Sequence, residues 1–211
     1  MDWITEHSDL INVMSNVGML VVWITYLQVF LAGYRRQKKA TILINRGGGG
    51  GLDAHCLVTN MSAEAIYVHT LIARLKGPSG TIACPITEPD ESEQWQEPSD
   101  LRLWTRQGPL ESGKVRDMGT MQAILDHVRS ACLSADAVQA ARNADELELQ
   151  VIAVYGSEDV MVAARRYFRI VHDPAGMELR PLTLATEQIR SLRERRHVIE
   201  MIGKQESASD I

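Results

Sequence analysis

The rhythm of apolar and polar positions changes twice along this chain. From Leu10 to Gly33 it reads LINVMSNVGMLVVWITYLQVFLAG, apolar in bulk and without one charged residue. At about 1.5 Å per residue this makes roughly 36 Å of helix, enough to cross a hydrocarbon core of about 30 Å with some tilt. Backbone groups at that depth have no water to bond, so a lone span must be helical. A cleaved signal peptide would need a basic leading region, whereas residues 1–9 carry Asp2, Glu6 and Asp9 and no Lys or Arg. The pattern predicts a short N-terminal segment over 1–9 and an uncleaved transmembrane helix over 10–33.

Beyond a linker at 34–40 the period shortens to two. Thr41–Asn45 (TILIN) reads as a strand, followed by Arg46 and the glycines Gly47–Gly51, which suit a flexible hairpin tip. In Asp53–Asn60, Ala54, Cys56 and Val58 share one face. In Ala65–Lys76, strict alternation puts Ile66, Val68, Thr70 and Ile72 on one face and Tyr67, His69, Leu71 and Ala73 on the other. Gly77-Pro78-Ser79-Gly80 is a turn, and Thr81–Ile86 resumes as a strand. Leu101–Trp104 and Lys114–Met118 read as two further strands around a turn at Gln107-Gly108-Pro109.

The best hairpin joins Glu146–Tyr155 to Val160–Val171 through Gly156-Ser157-Glu158-Asp159. One register sets Leu147 against Phe168, Val151 against Ala164, and Ala153 against Val162, with Glu146 against Arg169 and Gln150 against Arg165. Apolar residues meet on one face, and on the other Glu146 meets its opposite charge while Gln150 offers Arg165 a neutral acceptor, as cross-strand pairing prefers. It leaves Arg166 opposite Leu149 on the apolar face. There it either reaches solvent from a strand end or binds an anionic ligand or partner.

Helical spacing interrupts this pattern in an insertion near 120–143: Met121, Ile124, Leu125, Val128 and Cys132 lie along one helix, and Ala135–Asn143 forms a second. A C-terminal amphipathic helix is predicted over 183–203, capped by Thr183 or Thr186, before a disordered tail at 204–211. The fold class expected is therefore mainly β. It has a single N-terminal transmembrane helix, an immunoglobulin-like antiparallel β-sandwich over 41–182 with an inserted helix, and a C-terminal helix.

Composition changes this picture little. The chain has 211 residues, 45% of them hydrophobic and 23% charged, which excludes wholesale disorder. A net charge of −5 argues against a nucleic-acid binder. Three unpaired cysteines give neither a disulfide framework nor a zinc pattern. Charge placement is more telling than charge total. Arg35, Arg36, Lys38 and Lys39 follow the span at once, so the positive-inside bias puts the C-terminal side in the cytoplasm and the N-terminus outside.

Within the span, Asn12, Ser15, Asn16, Met19, Trp23, Tyr26 and Phe30 fall on one side at about 100° per residue. Asn12 and Asn16 facing hydrocarbon would lack partners, and Trp23 and Tyr26 lie too deep for an interfacial belt, which points to packing against another helix. The alternative is that both asparagines stay hydrated at the outer headgroups. The acidic, proline-punctuated segment Glu88–Glu97 reads as a solvated loop, or as a docking site for a basic partner anchored by Trp95. His55 and Cys56 are adjacent on a strand, so they point to opposite faces and cannot form a dyad.

No hydrolase, zinc-protease or paired-cysteine motif occurs, so no catalytic residue, cofactor or metal is expected. The expectation is a non-enzymatic accessory or assembly subunit of a bacterial inner membrane. Its partners would be the lipid bilayer and a protein or second copy met through the helix, with no nucleic acid. A ligand-sensing or regulatory protein, coupled to a channel or transporter, is the alternative.

Overall fold

Residues 8–37, 40–86, 105–132, 134–155, 161–173 and 176–189 are described by the computed structural model of the protein. The chain divides into two units, Met1–Lys39 and Ala40–Ile211.

The first unit holds helix α1, Ser8–Gln37. Its stretch Asn12–Tyr34, 23 residues of mean hydropathy 1.7, is long and apolar enough to span a membrane, and none of it is buried. Thr25 donates its hydroxyl to the Val21 carbonyl at 2.8 Å, which satisfies the one polar hydrogen it carries. The helix runs on through Tyr34, so the linker expected at 34–40 is helical as far as Gln37. Nothing in Tyr34–Gln37 breaks a helix, and the end of the apolar run is no stop signal. Of the outer segment predicted over 1–9, Ser8 and Asp9 belong to the helix, while residues 1–7, and Lys38 and Lys39, lie outside the described residues.

The second unit is mainly β. Its strands are β1 (Ile42–Gly47), β2 (His55–Asn60), β3 (Ile66–Gly77), β4 (Gly80–Ile86), β5 (Gly108–Leu110), β6 (Val115–Thr120), β7 (Glu146–Tyr155), β8 (Met161–Asp173), β9 (Gly176–Pro181) and β10 (Glu187–Ile189). Helices α2 (Met121–Ser130) and α3 (Ala135–Arg142) lie between β6 and β7. Every pairing is antiparallel. One sheet has the order β1-β2-β6 and the other β10-β8-β7-β3-β4, with β5 beside β3 and β9 beside β8. The main apolar cluster among the described residues joins them: Ile42, Ile44, Cys56, Val58 and Met118 from the first meet Val68, Leu71, Val151 and Phe168 from the second.

The β7–β8 register is the one its residues predict: Leu147 opposite Phe168, Val151 opposite Ala164, Ala153 opposite Val162, Glu146 opposite Arg169 and Gln150 opposite Arg165. Both inserted helices form. Thr120 caps α2 through the Ala123 amide, while Met121, Ile124, Leu125 and Val128 turn inward. Ser134 caps α3 through the Ala137 amide. At the β1–β2 tip, Gly48 and Gly51 take φ of 72° and 57°, a region that side-chain-bearing residues avoid.

Three expectations are corrected. The alternation in β3 is interrupted by a bulge between Val68 and Thr70. Ile66 and Val68 therefore share the main core with Leu71, Ala73 and Leu75, while Ile72 turns to a small second cluster with Ile152, Ala163 and Ile189. Gly108-Pro109 is no turn but part of β5, where Gly108 lies opposite Val68 and Pro109 opposite Tyr67. The C-terminal helix does not start at 183–189, because Glu187–Ile189 pairs with Ala163–Arg165 as β10. Its remainder at 190–203, the tail, the turn at 156–159, the acidic segment with Trp95 and the strand at 101–104 lie outside the described residues.

Candidate functional site

β1 is an edge strand, and edge strands present backbone groups that must be satisfied or hidden. Side chains from the opposite sheet do this. The Ile42 amide donates to Gln188 Oε1 at 3.0 Å, while Gln188 Nε2 donates to the Ile42 carbonyl at 2.6 Å. One side-chain amide thus takes the place of a neighbouring peptide group. Two residues on, the Ile44 amide donates to Thr186 Oγ1 at 2.8 Å. Arg166 Nη1 donates to the Ile44 carbonyl at 2.5 Å and to Asn45 Oδ1 at 2.8 Å. Arg46 completes the seam by donating to the Leu179 carbonyl on β9.

Arg166 therefore does not reach out from a strand end. It lies opposite Leu149, half-buried, with its guanidinium over the Phe168 ring at 5.6 Å and turned across to β1. Burial lowers its hold on its proton, and Arg46 adds to this in the same direction. Its Nε is buried with no acceptor. Sequence reasoning singled out Arg166 by its misfit but missed Arg46, Thr186 and Gln188, whose roles depend on a sheet-to-sheet approach.

Beside this seam sits Cys56, fully buried. Burial pushes its thiol from 9.0 up to about 12, Asp117 adds to the rise, and Arg106 and Arg166 oppose it. The unfolded thiol ionises near 9.0 and the folded one near 12, so the thiol's contribution to stability is intact below 9.0 and lost as pH rises toward 12. Unfolding free energy is expected to fall by up to about 1.4 kcal/mol per pH unit across that window through this group alone. Urea midpoints of wild type and Cys56→Ala, followed from pH 8 to 11, check it; parallel curves would refute it.

His55, on the opposite face from Cys56 as expected, holds Asp117 Oδ2 at 2.6 Å through Nδ1. No three His, Cys, Asp or Glu side chains cluster as a metal site among the described residues.

The outer face of the larger sheet carries a charged network. Glu148 accepts from Arg74 Nη1 at 2.7 Å and pairs with Lys76 Nζ at 2.6 Å. Arg165 grips Glu187 with two parallel bonds of 2.9 and 3.0 Å, which hold the Glu187 carboxyl below its usual range. Lys76 lies 4.9 Å from the centre of the Tyr167 ring.

On α1, Asn12, Asn16, Trp23 and Tyr26 are all exposed, and Trp23 and Tyr26 meet edge to face at 6.3 Å. Arg35 and Arg36 lie in its last turn. Comparison of the chain with known protein families, curated proteins and solved structures finds no match.

Proposed function

We propose that this protein is a single-pass membrane subunit whose β-rich unit is a non-enzymatic interaction domain. Its role is that of an accessory or assembly subunit of a bacterial inner membrane. One observation carries the reading: an apolar helix of 23 residues, exposed among the described residues. Such a surface is costly in water and at home in lipid or against another helix. Arg35, Arg36, Lys38 and Lys39 favour a cytoplasmic β-rich unit and an outer N-terminus.

An immunoglobulin-like sandwich is the reading of the second unit that its strand orders support. β1-β2-β6 corresponds to strands A, B and E, and β8-β7-β3-β4 to G, F, C and C′. In this reading α2 and α3 occupy the E–F connection, and β9 and β10 extend the G edge. With β1 closed by side chains, the domain has little to offer an added strand there, and partners would meet its faces and loops instead.

The partner, a protein or a second copy, would meet the face of α1 that carries Asn12, Asn16, Trp23 and Tyr26. Crosslinking in membranes, then capture of the full chain in mild detergent and mass spectrometry, tests this. The expected result is a discrete crosslinked species that is lost in Asn12→Leu/Asn16→Leu. A yield unchanged by that double substitution would sink the role of this face, and no discrete species at all would sink the subunit reading. A ligand-sensing role is the second reading, favoured by the arginines at the seam.

A further inference from the structure

Arg46 and Arg166 cross the gap between the sheets in opposite directions. Arg46 leaves β1 in the smaller sheet and ends on the Leu179 carbonyl of β9 in the larger. Arg166 leaves β8 in the larger sheet and ends on the Ile44 carbonyl and Asn45 side chain of β1. On β1 the two acceptors of Arg166, Ile44 and Asn45, are followed directly by Arg46, and the two guanidinium groups are near enough that Arg46 weakens the hold of Arg166 on its proton. Both are half-buried, which leaves them dehydrated but within reach of solvent.

Neither arginine forms an ion pair among the described residues, and the acceptors that hold them are carbonyl or amide oxygens. Arg74, Lys76, Arg129, Arg165 and Arg180 in this unit each have a carboxylate within pairing distance, whereas Arg116, like the seam pair, donates to backbone carbonyls. The seam thus gathers positive charge without supplying its counter-charge. Guanidinium groups do not shed a proton in proteins, so the repulsion between them is a standing cost. Tying two sheets together would need hydrogen bonds alone, which one neutral amide provides at Gln188 a few ångströms of strand away. Two charges, with one buried Nε lacking an acceptor, are more than a tie requires.

We propose that Arg46 and Arg166 bind a phosphate group in this gap. Anchoring each arginine by a backbone carbonyl fixes the direction of its remaining N–H groups before any ligand arrives. A phosphate offers oxygens in several directions and up to two negative charges, so it can meet two forks approaching from opposite sides. A carboxylate, planar and singly charged, satisfies one fork fully and leaves the second short. The same chemistry fits a soluble phosphate or the headgroup of an anionic phospholipid. The proposal stands independently of which protein, if any, meets α1.

The test uses the full-length chain in an uncharged maltoside detergent, with ionic strength held constant by sodium chloride so that screening does not vary. Inorganic phosphate is titrated in one arm, and phosphatidic acid is added to the micelles in the other. Thermal unfolding is the readout. Expected is a saturable rise in Tm: with inorganic phosphate if the site takes a soluble ligand, with phosphatidic acid alone if it takes a headgroup. Arg46→Gln and Arg166→Gln are each expected to raise the apparent Kd at least tenfold. Arg169→Gln, an exposed arginine of the same strand, leaves it unchanged. Should Arg166→Gln fail to fold, Arg46→Gln decides, because it removes one bond to a carbonyl and leaves the capping of β1 intact. No saturable shift in either arm, or a shift that survives Arg46→Gln, overturns the proposal.

Discussion

Replacing Glu148 by alanine is expected to destabilise the β-rich unit by about 3–5 kcal/mol, as removal of one partner from a buried ion pair does. The side chain of Glu148 is only 5% exposed and that of Arg74 12% exposed, so water cannot replace the lost carboxylate around Arg74. Gln150 Oε1 would remain as a neutral acceptor for Arg74 Nη1. Lys76 is better placed, with 36% of its side chain exposed and Glu146 still 3.4 Å away. Arg74 therefore dominates the loss. Glu148→Leu combined with Arg74→Leu removes the cation along with the buried carboxylate and is expected to recover part of the stability, because apolar replacements of a buried pair are often neutral. Urea midpoints of the single and double variants check this. A single-variant effect below about 1 kcal/mol, the range of exposed pairs, would show that the network is solvated after all.

That network also marks how far the sequence is readable. The β7–β8 register follows from two patterns, apolar pairs on one face and polar pairs including Glu146 with Arg169 on the other, and a slip of one residue would break both. Glu148 meets Arg74, however, across β3–β7. No charge pattern within one hairpin reports that pairing, so burial of a carboxylate on an outward face was not visible in advance. The bulge in β3 escaped for a related reason. Leu71, Ile72 and Ala73 are all apolar, so alternation carries no phase there, and only the partner strand reveals that Leu71 and Val68 share a face.

The seam was half legible. Arg166 stood out because it breaks an apolar face, and the misfit was real: the side chain has a specific destination on β1. Thr186-Glu187-Gln188 looks like the start of a helix, since threonine is a favoured N-cap and an acid in the first turn suits the helix dipole. Pairing with β8 and bonding to the edge of β1 override that local preference. Local signals placed the elements; contacts distant in sequence decided which side chains close the structure.

Deleting residues 1–39 is expected to move the protein wholly from the membrane fraction to the soluble one, the largest single change that any of these variants should produce. The cut falls where the chain divides, between Lys39 and Ala40, so every strand of the second unit is kept. What is removed includes the 23 residues of mean hydropathy 1.7, exposed along their whole length. A milder variant makes the same point by cost rather than by removal. Leu20→Arg puts a charge near the middle of the helix, where insertion is disfavoured by about 2.5–3.5 kcal/mol. It should weaken membrane retention without touching the β-rich unit. Carbonate washing of membranes, followed by the intact mass of the retained chain, gives the readout. Full-length mass in the washed membranes supports a retained anchor. A soluble chain whose mass has lost the segment up to about Gly33 would instead make α1 a cleaved leader, despite Asp2, Glu6 and Asp9 before it. In that case the β-rich unit would lie outside the cytoplasm, and the basic flank would have lost the role assigned to it here.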